Sequence, residues 1–152
     1  MSRIVPELDY ALLGDYVRPD ASGVAHVIGA GIDTIPMREV PAGHNIGLLF
    51  RVEFTRQECG RPHRLEVVFQ DIDGERLLHI TSVITPDWID DLPVGWNRGW
   101  LGGFNFGVPL PRFGVYSFEF LINDTNKKTL HLRVVPSGED AAPEGDEVAP
   151  AD

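Results

Sequence analysis

The sequence predicts an all-β protein, an antiparallel two-sheet sandwich of the immunoglobulin-like type with about eight strands. Three observations lead to this prediction. Apolar residues alternate with a period of two in several short runs, turn-forming residues separate these runs, and no helical period lasts longer than about two turns. An alternating strand has one apolar face, so the strands need a second sheet to cover that face.

The clearest alternation lies near the end of the sequence, at residues 114–122. One face of this run carries all of its large apolar anchors, namely Tyr116, Phe118, Phe120 and Ile122. Residues 123–126 form a turn cluster, because short polar side chains bond their own backbone and tolerate left-handed conformations. The alternation restarts over residues 128–135, so the two runs predict a β-hairpin.

The upstream sequence supplies the other strands. Residues 45–54 alternate over five apolar positions and predict the most regular strand of the first half. The remaining predicted strands lie at residues 8–17, 24–30, 64–72, 77–84 and 101–110. We expect the first two of these to pair as a hairpin, and Gly29 and Gly31 to let residues 32–36 leave the sheet. Residues 86–98 are predicted to form a long connection.

The charge of the chain divides it into two parts. The formal charge is −10, and residues 137–152 hold six acidic residues with no Lys or Arg. This segment is otherwise made of small residues and proline, so it cannot bury enough apolar surface to offset the entropy of ordering it. We predict a β-sandwich domain at residues 1–136 and a disordered acidic tail at residues 137–152.

Composition also limits the partners and the compartment. The chain outside the tail has 13 basic and 17 acidic residues with no basic stripe, which argues against binding to nucleic acid. No run approaches the roughly 18 apolar residues of a membrane span, and the N-terminus lacks the pattern of a signal peptide. Cys59 is the single cysteine, so no intramolecular disulfide is expected and a cytoplasmic location is predicted.

The run around Tyr116 resembles the tyrosine corner of immunoglobulin-like sandwiches. Gly114, Tyr116 and Phe118 stand in the right order on the predicted penultimate strand, with Phe118 where antibody-type domains carry their second cysteine. The sequence has no partner cysteine. The resemblance therefore implies an immunoglobulin-like architecture without the disulfide.

Most of residues 9–135 is also similar to a bacterial protein family of unknown function. The motifs that carry the similarity are Leu12-Leu13-Gly14-Asp15-Tyr16, the stretch Ser22-Gly23-x-Ala25-x-Val27-Ile28-Gly29-Ala30-Gly31, Arg61-Pro62-His63-Arg64-Leu65, Asp71-x-Asp73-Gly74, and Leu110-Pro111-Arg112-x-Gly114-x-Tyr116-x-Phe118. The resemblance implies a cytoplasmic β-rich domain. It provides no catalytic or ligand-binding residues to carry over.

The sequence contains no convincing catalytic or metal-binding constellation. Asp71 and Asp73 have the spacing that opens a calcium loop, but its twelfth position holds Ser82 instead of a bidentate acid, so we interpret residues 71–74 as a hairpin turn. Cys59 has an acidic neighbour that disfavours the thiolate. The five histidines lack the spacing of metal ligands and are His26, His44, His63, His79 and His131. Of these, His131 is expected to face solvent. We predict no cofactor and no metal.

Residues 87–100, the Trp-rich stretch, contain all three tryptophans and are the best candidate for a binding site. An exposed Trp is costly and is common at contacts with a sugar, a base or a partner protein. The candidate binding residues are Trp88, Trp96, Arg98 and Trp100. The alternative is that these rings fold back and cover one end of the sandwich, as satellite clusters under long loops do.

Three functional hypotheses remain. The preferred one is a non-enzymatic β-sandwich that acts through protein contacts or self-association, because edge strands of an open sandwich can pair. The second is a small-ligand or carbohydrate-binding module that uses the three Trp rings as a platform. The third, an uncharacterised hydrolase or metal enzyme, has the least support from the residues.

Overall fold

The structure, a computed structural model, describes residues 5–138. Within this range the chain forms ten β-strands and one short 3-10 helix at Arg56–Glu58. The strands are Glu7–Gly14 (β1), Tyr16–Pro19 (β2), Ala25–Ile28 (β3), Thr34–Met37 (β4), Ala42–Phe54 (β5), His63–Asp71 (β6), Arg76–Ile84 (β7), Arg98–Leu110 (β8), Gly114–Ile122 (β9) and Thr125–Pro136 (β10). The all-β prediction is confirmed.

Two sheets build the sandwich. The first sheet has three strands in the order β1-β5-β8, and the second sheet has five in the order β4-β10-β9-β6-β7. All pairs in these sheets are antiparallel except β4 with β10, which is parallel. A further two-stranded sheet, β2 with β3, forms a hairpin.

The core lies between the two sheets and is built from the predicted alternating faces. Phe120 of β9 packs on Phe50 of β5 with ring centroids 4.9 Å apart, and Phe118 of β9 meets the edge of Phe106 of β8 at 6.1 Å. The largest fully buried side chains include Phe54, Phe69, Phe118, Phe120 and Ile46. Period-two burial therefore places the same apolar side chains inside that the sequence predicts.

The turn between β9 and β10 has the predicted chemistry. Asn123 and Asp124 both have positive φ, 48° and 70°, in a two-residue connection between the paired residues Ile122 and Thr125. Two left-handed residues match the twist of a tight hairpin, and Asn and Asp tolerate that conformation better than other non-glycine residues.

The first predicted strand is divided into two. Residues 8–17 were expected to form one strand that pairs with the second, but β1 ends at Gly14 and pairs with β5, and only β2 pairs with β3. The break occurs at Asp15, whose N–H donates to Ile28 O at 2.8 Å. A Cβ on Gly14 would lie 2.9 Å from a Val27 methyl group, which is too close. Because glycine has no Cβ, the β2–β3 hairpin can pass over the chain at this position.

The β2–β3 hairpin covers the outer face of the first sheet. Val17 is buried, and its backbone N–H and C=O both bond the Asn105 side chain of β8, at 2.9 and 2.8 Å. Leu49, on the outward face of β5, is also buried. The side-chain amide of Asn105 thus takes the place of a neighbouring strand for one residue of the hairpin.

The expectation that residues 32–36 leave the sheet is wrong. Thr34–Met37 forms β4, which pairs in parallel with residues 133–136 of β10. Pro36 has no N–H to donate, and β4 tolerates it because an edge strand can turn a missing donor toward solvent. Arg133 fixes the pair, since its N–H donates to Asp33 O and its Nε to Thr34 Oγ1, both at 2.9 Å.

The described residues reach only the start of the predicted acidic tail. Ser137 donates its N–H to Met37 O at 2.8 Å and so continues the contact of β10 with β4. Residues 139–152 of the predicted tail lie outside the described residues. In residues 5–138 there is no helix with the length and apolar character to cross a membrane.

Candidate functional site

The Trp-rich stretch joins the two sheets at one side of the sandwich. β7 is an edge strand of the second sheet and β8 an edge strand of the first. Residues 85–97 connect them without forming a strand, and residues 98–100 begin β8. The connection occupies nearly the predicted range of 86–98, and it borders the side on which two edge strands face each other.

Two of the predicted binding residues are held by contacts within the protein. The guanidinium carbon of Arg56 lies 5.6 Å from the Trp88 ring centroid, a cation–π contact that covers one face of the indole. Arg98 donates from Nε to Asp87 O at 3.0 Å and from Nη1 to Gly99 O. Both side chains are partly buried, and Arg98 ties the beginning of the connection to its end.

Trp100 belongs to the edge of the core. Its ring stacks on Phe50 at 5.9 Å between centroids and 26° between planes. Gly102 permits this stack, since a Cβ there would lie 2.4 Å from the Trp100 ring and 2.8 Å from the Phe50 ring. The absence of a side chain at Gly102 therefore lets the two aromatic rings meet above it.

Trp96 is different, because it is 64% exposed. Val94, two residues earlier, and Ile89 are also exposed, so three large apolar side chains of one connection face solvent. We call Ile89, Val94 and Trp96 the apolar patch. Residues 85–97 carry Asp87, Asp90 and Asp91 and no Lys or Arg, so the patch is in an acidic setting.

The four predicted residues therefore do not share one environment. Trp88 is covered by Arg56, Arg98 bonds backbone carbonyls, and Trp100 stacks on Phe50. Only Trp96 presents most of its surface. The sequence did not indicate that Val94 and Ile89 would accompany Trp96, although three large apolar residues in a Pro/Gly-containing connection are a usable signal.

A cavity lies beneath Trp100, between the inner faces of the two sheets. It has a volume of about 210 Å³ and opens at the side where β7 faces β8. Its walls are aromatic and aliphatic, with one hydroxyl. The lining residues with the largest apolar surfaces are Phe50, Leu65, Val67, Ile80, Trp100 and Phe104, and Ser82 supplies the hydroxyl. Sequence analysis did not predict this cavity.

The tyrosine corner is present. The Tyr116 hydroxyl donates to Arg112 O at 2.6 Å and accepts the Arg112 N–H at 3.0 Å, so one buried side chain satisfies both backbone groups of a residue four positions upstream. The Tyr116 ring stacks on Phe69 at 5.2 Å. This geometry agrees with the resemblance to immunoglobulin-like sandwiches.

Asp71 connects the same region to the β6–β7 turn. Its Oδ1 accepts the N–H groups of Asp73 and Glu75, both at 2.9 Å, and its Oδ2 accepts from Arg112 at 2.8 Å. The Glu75 N–H is the main cause that holds the pKa of Asp71 below its ordinary value, and Arg112 contributes despite the opposing effect of desolvation. Gly74 has a φ of 86°, as a hairpin turn requires. The carboxylate of Asp71 therefore stabilises the turn.

His63 is a buried histidine with two partners. Its Nε2 lies 2.6 Å from Glu58 O, and its Nδ1 lies 3.0 Å from the side-chain nitrogen of Asn123. A carbonyl oxygen only accepts and an amide nitrogen only donates, so in this geometry Nε2 donates to Glu58 O and Nδ1 accepts from Asn123. His63 thus links the approach to β6 with the β9–β10 turn. His131 is exposed, as predicted.

Four of the five motifs of the family resemblance contact one another in two pairs, and the third motif contacts a turn outside the motifs. Asp15 of the first motif bonds Ile28 of the second, Asp71 of the fourth bonds Arg112 of the fifth, and His63 of the third bonds the β9–β10 turn. Each pair fixes a turn or a crossing. The motifs therefore have structural roles in the fold, whereas the apolar patch lies outside all of them.

In the part of the chain that the structure describes, the surroundings of Cys59 do not favour nucleophilic chemistry. Burial raises the pKa of the Cys59 thiol, and Glu58 and Asp87 add to this effect while Arg98 opposes it, so the thiolate is disfavoured. Across residues 5–138 no three His, Cys, Asp or Glu side chains are placed to hold a metal ion. The apolar patch and the cavity are the two features beside the Trp-rich stretch that offer surface to a partner or a ligand.

Two β-domains of low identity are among the solved structures that are similar to this chain. The C-terminal domain of Wzt has a TM-score of 0.48 at 14% identity, with 91% of this chain and 78% of that one covered. The CARDB domain of a Pyrococcus furiosus protein, solved in complex with di-metal ions, has a TM-score of 0.37 at 10% identity, with 88% and 95% covered.

The comparison with curated proteins gave no significant match. Residues 9–135, the same range that carries the sequence motifs, match the model of DUF6941, a family of unknown function. The chain is a member of the DUF6941 family.

Proposed function

We propose that this protein is a non-enzymatic binding protein that acts through protein contacts, with the apolar patch as its contact surface and Trp96 as the anchor. The observation that carries the proposal is the 64% exposure of Trp96 beside the exposed Val94 and Ile89. A Trp that is mostly exposed in the free protein gains the most from burial in a partner's pocket.

The setting of the patch defines the partner's chemistry. Asp87, Asp90 and Asp91 lie in the same connection without a basic residue. A partner with an apolar pocket and a basic rim would complement both features, and the charges would increase the association rate. The single cysteine, Cys59, fits a reducing compartment, so the proposal places the protein in the cytoplasm.

A protein partner is better supported than a carbohydrate. A sugar platform of three Trp rings requires free ring faces, but Arg56 lies over Trp88 and Phe50 stacks on Trp100. Val94 and Ile89, the other exposed large apolar residues of the connection, would enlarge an apolar contact with a protein. Apolar contacts around one aromatic anchor are typical of protein interfaces.

A second copy of the chain is one form that the partner can take. Edge strands β7 and β8 lie beside the patch, and exposed edges can pair between copies. Self-association would bury the patch in a symmetric contact. The mass in solution distinguishes this form from a partner of another sequence.

The test uses the full chain as wild type, Trp96→Ala and Phe113→Ala. Phe113 is a matched control, since it is 38% exposed and lies between β8 and β9, outside the patch. Light scattering measures self-association. A partner of another sequence is isolated by affinity purification from the native host, and its binding to each variant is then measured. We expect Trp96→Ala to weaken binding by about 30-fold or more, and Phe113→Ala to leave it unchanged.

Two outcomes would contradict the proposal. One is equal binding of a purified partner by wild type and Trp96→Ala, or, for self-association, an oligomer whose mass Trp96→Ala leaves unchanged. The other is a shift of Trp96 fluorescence on addition of a glycan without any protein partner, which would favour the carbohydrate-binding alternative.

A further inference from the structure

We propose that the cavity between the sheets is a binding site for a small neutral aromatic molecule that carries one hydroxyl or carbonyl group. The site is distinct from the apolar patch, because it lies inside the sandwich and its walls come from β5, β6, β7, β8 and β9. Trp100 is the one residue of the Trp-rich stretch that lines the cavity.

The cavity borders one small residue on each edge strand, Ser82 of β7 and Gly103 of β8. On β7 the inward-facing residues are opposite the inward residues of β6, as the pairs Phe69 with Leu78, Val67 with Ile80 and Leu65 with Ser82 show. Ser82 thus interrupts a row of aliphatic side chains. On β8 the cavity is lined by Gly103 together with the rings of Trp100 and Phe104.

The walls fit an aromatic ring. Phe50 lies 4.9 Å from Phe120, 5.9 Å from Trp100 and 6.3 Å from Phe104, measured between centroids, so it is the centre of an aromatic cluster that borders the cavity. Aromatic pairs prefer offset-stacked or edge-to-face contacts at such distances, and a ligand ring could add one more member to the cluster. The remaining walls are aliphatic side chains of β6 and β7.

The size and charge of the cavity define the ligand class. A volume of about 210 Å³ exceeds the roughly 150 Å³ of an apolar protein cavity that holds benzene, so one or two fused rings fit. The lining residues include no charged side chain. A carboxylate even at the opening would lose part of its hydration, and no basic side chain of the lining would compensate, so the site favours a neutral ligand.

Ser82 provides the polar contact. Its side chain is exposed at the opening, and within residues 5–138 its hydroxyl has no hydrogen-bond partner from the protein. A hydroxyl can both donate and accept, so it suits either a hydroxyl or a carbonyl on the ligand. The ligand's polar group would lie at the opening, with the ring inside.

The test uses 2-naphthol as the probe, with naphthalene and sodium 2-naphthoate as its apolar and charged analogues. Titration calorimetry and the melting temperature report binding. We expect saturable binding of 2-naphthol and naphthalene and none of 2-naphthoate. Ser82→Ala should weaken 2-naphthol about fivefold, the effect of one hydrogen bond, and leave naphthalene unchanged.

A filling variant tests the location. Ser82→Phe places a ring at the cavity opening and should abolish binding of both neutral probes, while circular dichroism shows that the fold is kept. Thr81→Phe is the matched control, since Thr81 is exposed on the opposite face of the same strand, and it should bind like wild type.

The absence of saturable binding for both neutral probes would overturn this proposal, as would unchanged binding by Ser82→Phe. Binding of 2-naphthoate that is as tight as that of 2-naphthol would also overturn the proposal. Trp96→Ala should bind 2-naphthol like wild type, so the outcome is independent of the protein-contact proposal.

Discussion

The two ends of β7 are built in different ways. At its beginning, the β6–β7 turn is held by directional polar contacts, since Asp71 accepts two backbone N–H groups and one Arg112 N–H, and Tyr116 bonds Arg112 at both backbone atoms. At its end, the Trp-rich stretch is held by ring contacts and by Arg98, and it leaves Trp96 exposed.

This difference separates a part of the molecule that fixes the fold from a part that is available for binding. Polar groups that satisfy one another fix a single geometry, because any displacement leaves a donor or an acceptor unpaired. Apolar contacts lack direction, so the Trp-rich side can present surface without disturbing the turn at the other end of β7. Three predictions test this contrast, ordered by expected effect.

Replacing Tyr116 with Phe should destabilise the protein the most. The variant keeps the ring stacked on Phe69 but loses both hydrogen bonds to Arg112, so the free energy of unfolding should fall by about 2 kcal/mol. Urea denaturation measures the change. Tyr16→Phe is the matched control, because Tyr16 is 48% exposed, and equal losses in the two variants would contradict a role for the corner.

Gly102→Ala, on the Trp-rich side of the molecule, should destabilise the protein less than Tyr116→Phe. The new methyl group would lie within 3 Å of both the Trp100 and Phe50 rings, so the stack must open at a cost of about 1–2 kcal/mol. Near-ultraviolet circular dichroism should show the change in Trp environment. Gly107→Ala on the same strand meets only Asn45 at 3.5 Å, and a similar spectral change there would refute the argument.

Asp71→Asn should have the smallest effect at neutral pH, because an amide oxygen can still accept the turn N–H groups. The folded-state pKa of Asp71 lies below the ordinary value of 3.8, so its charge stabilises the fold above that pH, and this contribution is lost as the pH falls through the folded-state pKa. The difference in melting temperature between wild type and variant should therefore be constant from pH 7 to about 5 and shrink in more acidic solution.

The control for this pH series is Asp73→Asn, because the Asp73 carboxylate of the wild type is exposed and lies 3.9 Å from Arg112. The melting temperature of this variant should change with pH in the same way as that of the wild type. A gap between wild type and Asp71→Asn that grows in acid would show that the sign of the linkage is wrong.

Much of the fold could be predicted because period-two alternation states directly which side chains face inward. Tyr116, Phe118 and Phe120 alternate without interruption, and all three are buried. The β9–β10 turn was equally predictable, since Asn123 and Asp124 are residues that tolerate positive φ. These are local properties, which a single sequence contains.

The errors concern contacts between distant residues. Residues 34–37 are too few and contain a proline, so only their pairing with β10 makes them a strand. The break at Asp15 depends likewise on its bond to Ile28 and on the close approach of Val27 to Gly14. Neither partner can be read from the local pattern.

The candidate site was predictable in part. The concentration of tryptophan indicated residues 87–100, but a sequence does not show that Arg56 covers Trp88 or that Phe50 stacks on Trp100. The cavity was missed, since its lining combines residues of five strands from both sheets, among them Ser82 of β7 and Gly103 of β8. These residues come together only when both sheets have formed.

The parallel pair of β4 and β10 has a consequence for synthesis of the protein on the ribosome. Thr34 and Arg133 are bonded across a separation of 99 residues, and β10 lies between β4 and β9 in the sheet. Until residue 136 has been translated and has emerged, β4 has no strand beside it and one edge of β9 stays open. Such late, non-local pairing slows folding and leaves strand edges exposed in the nascent chain.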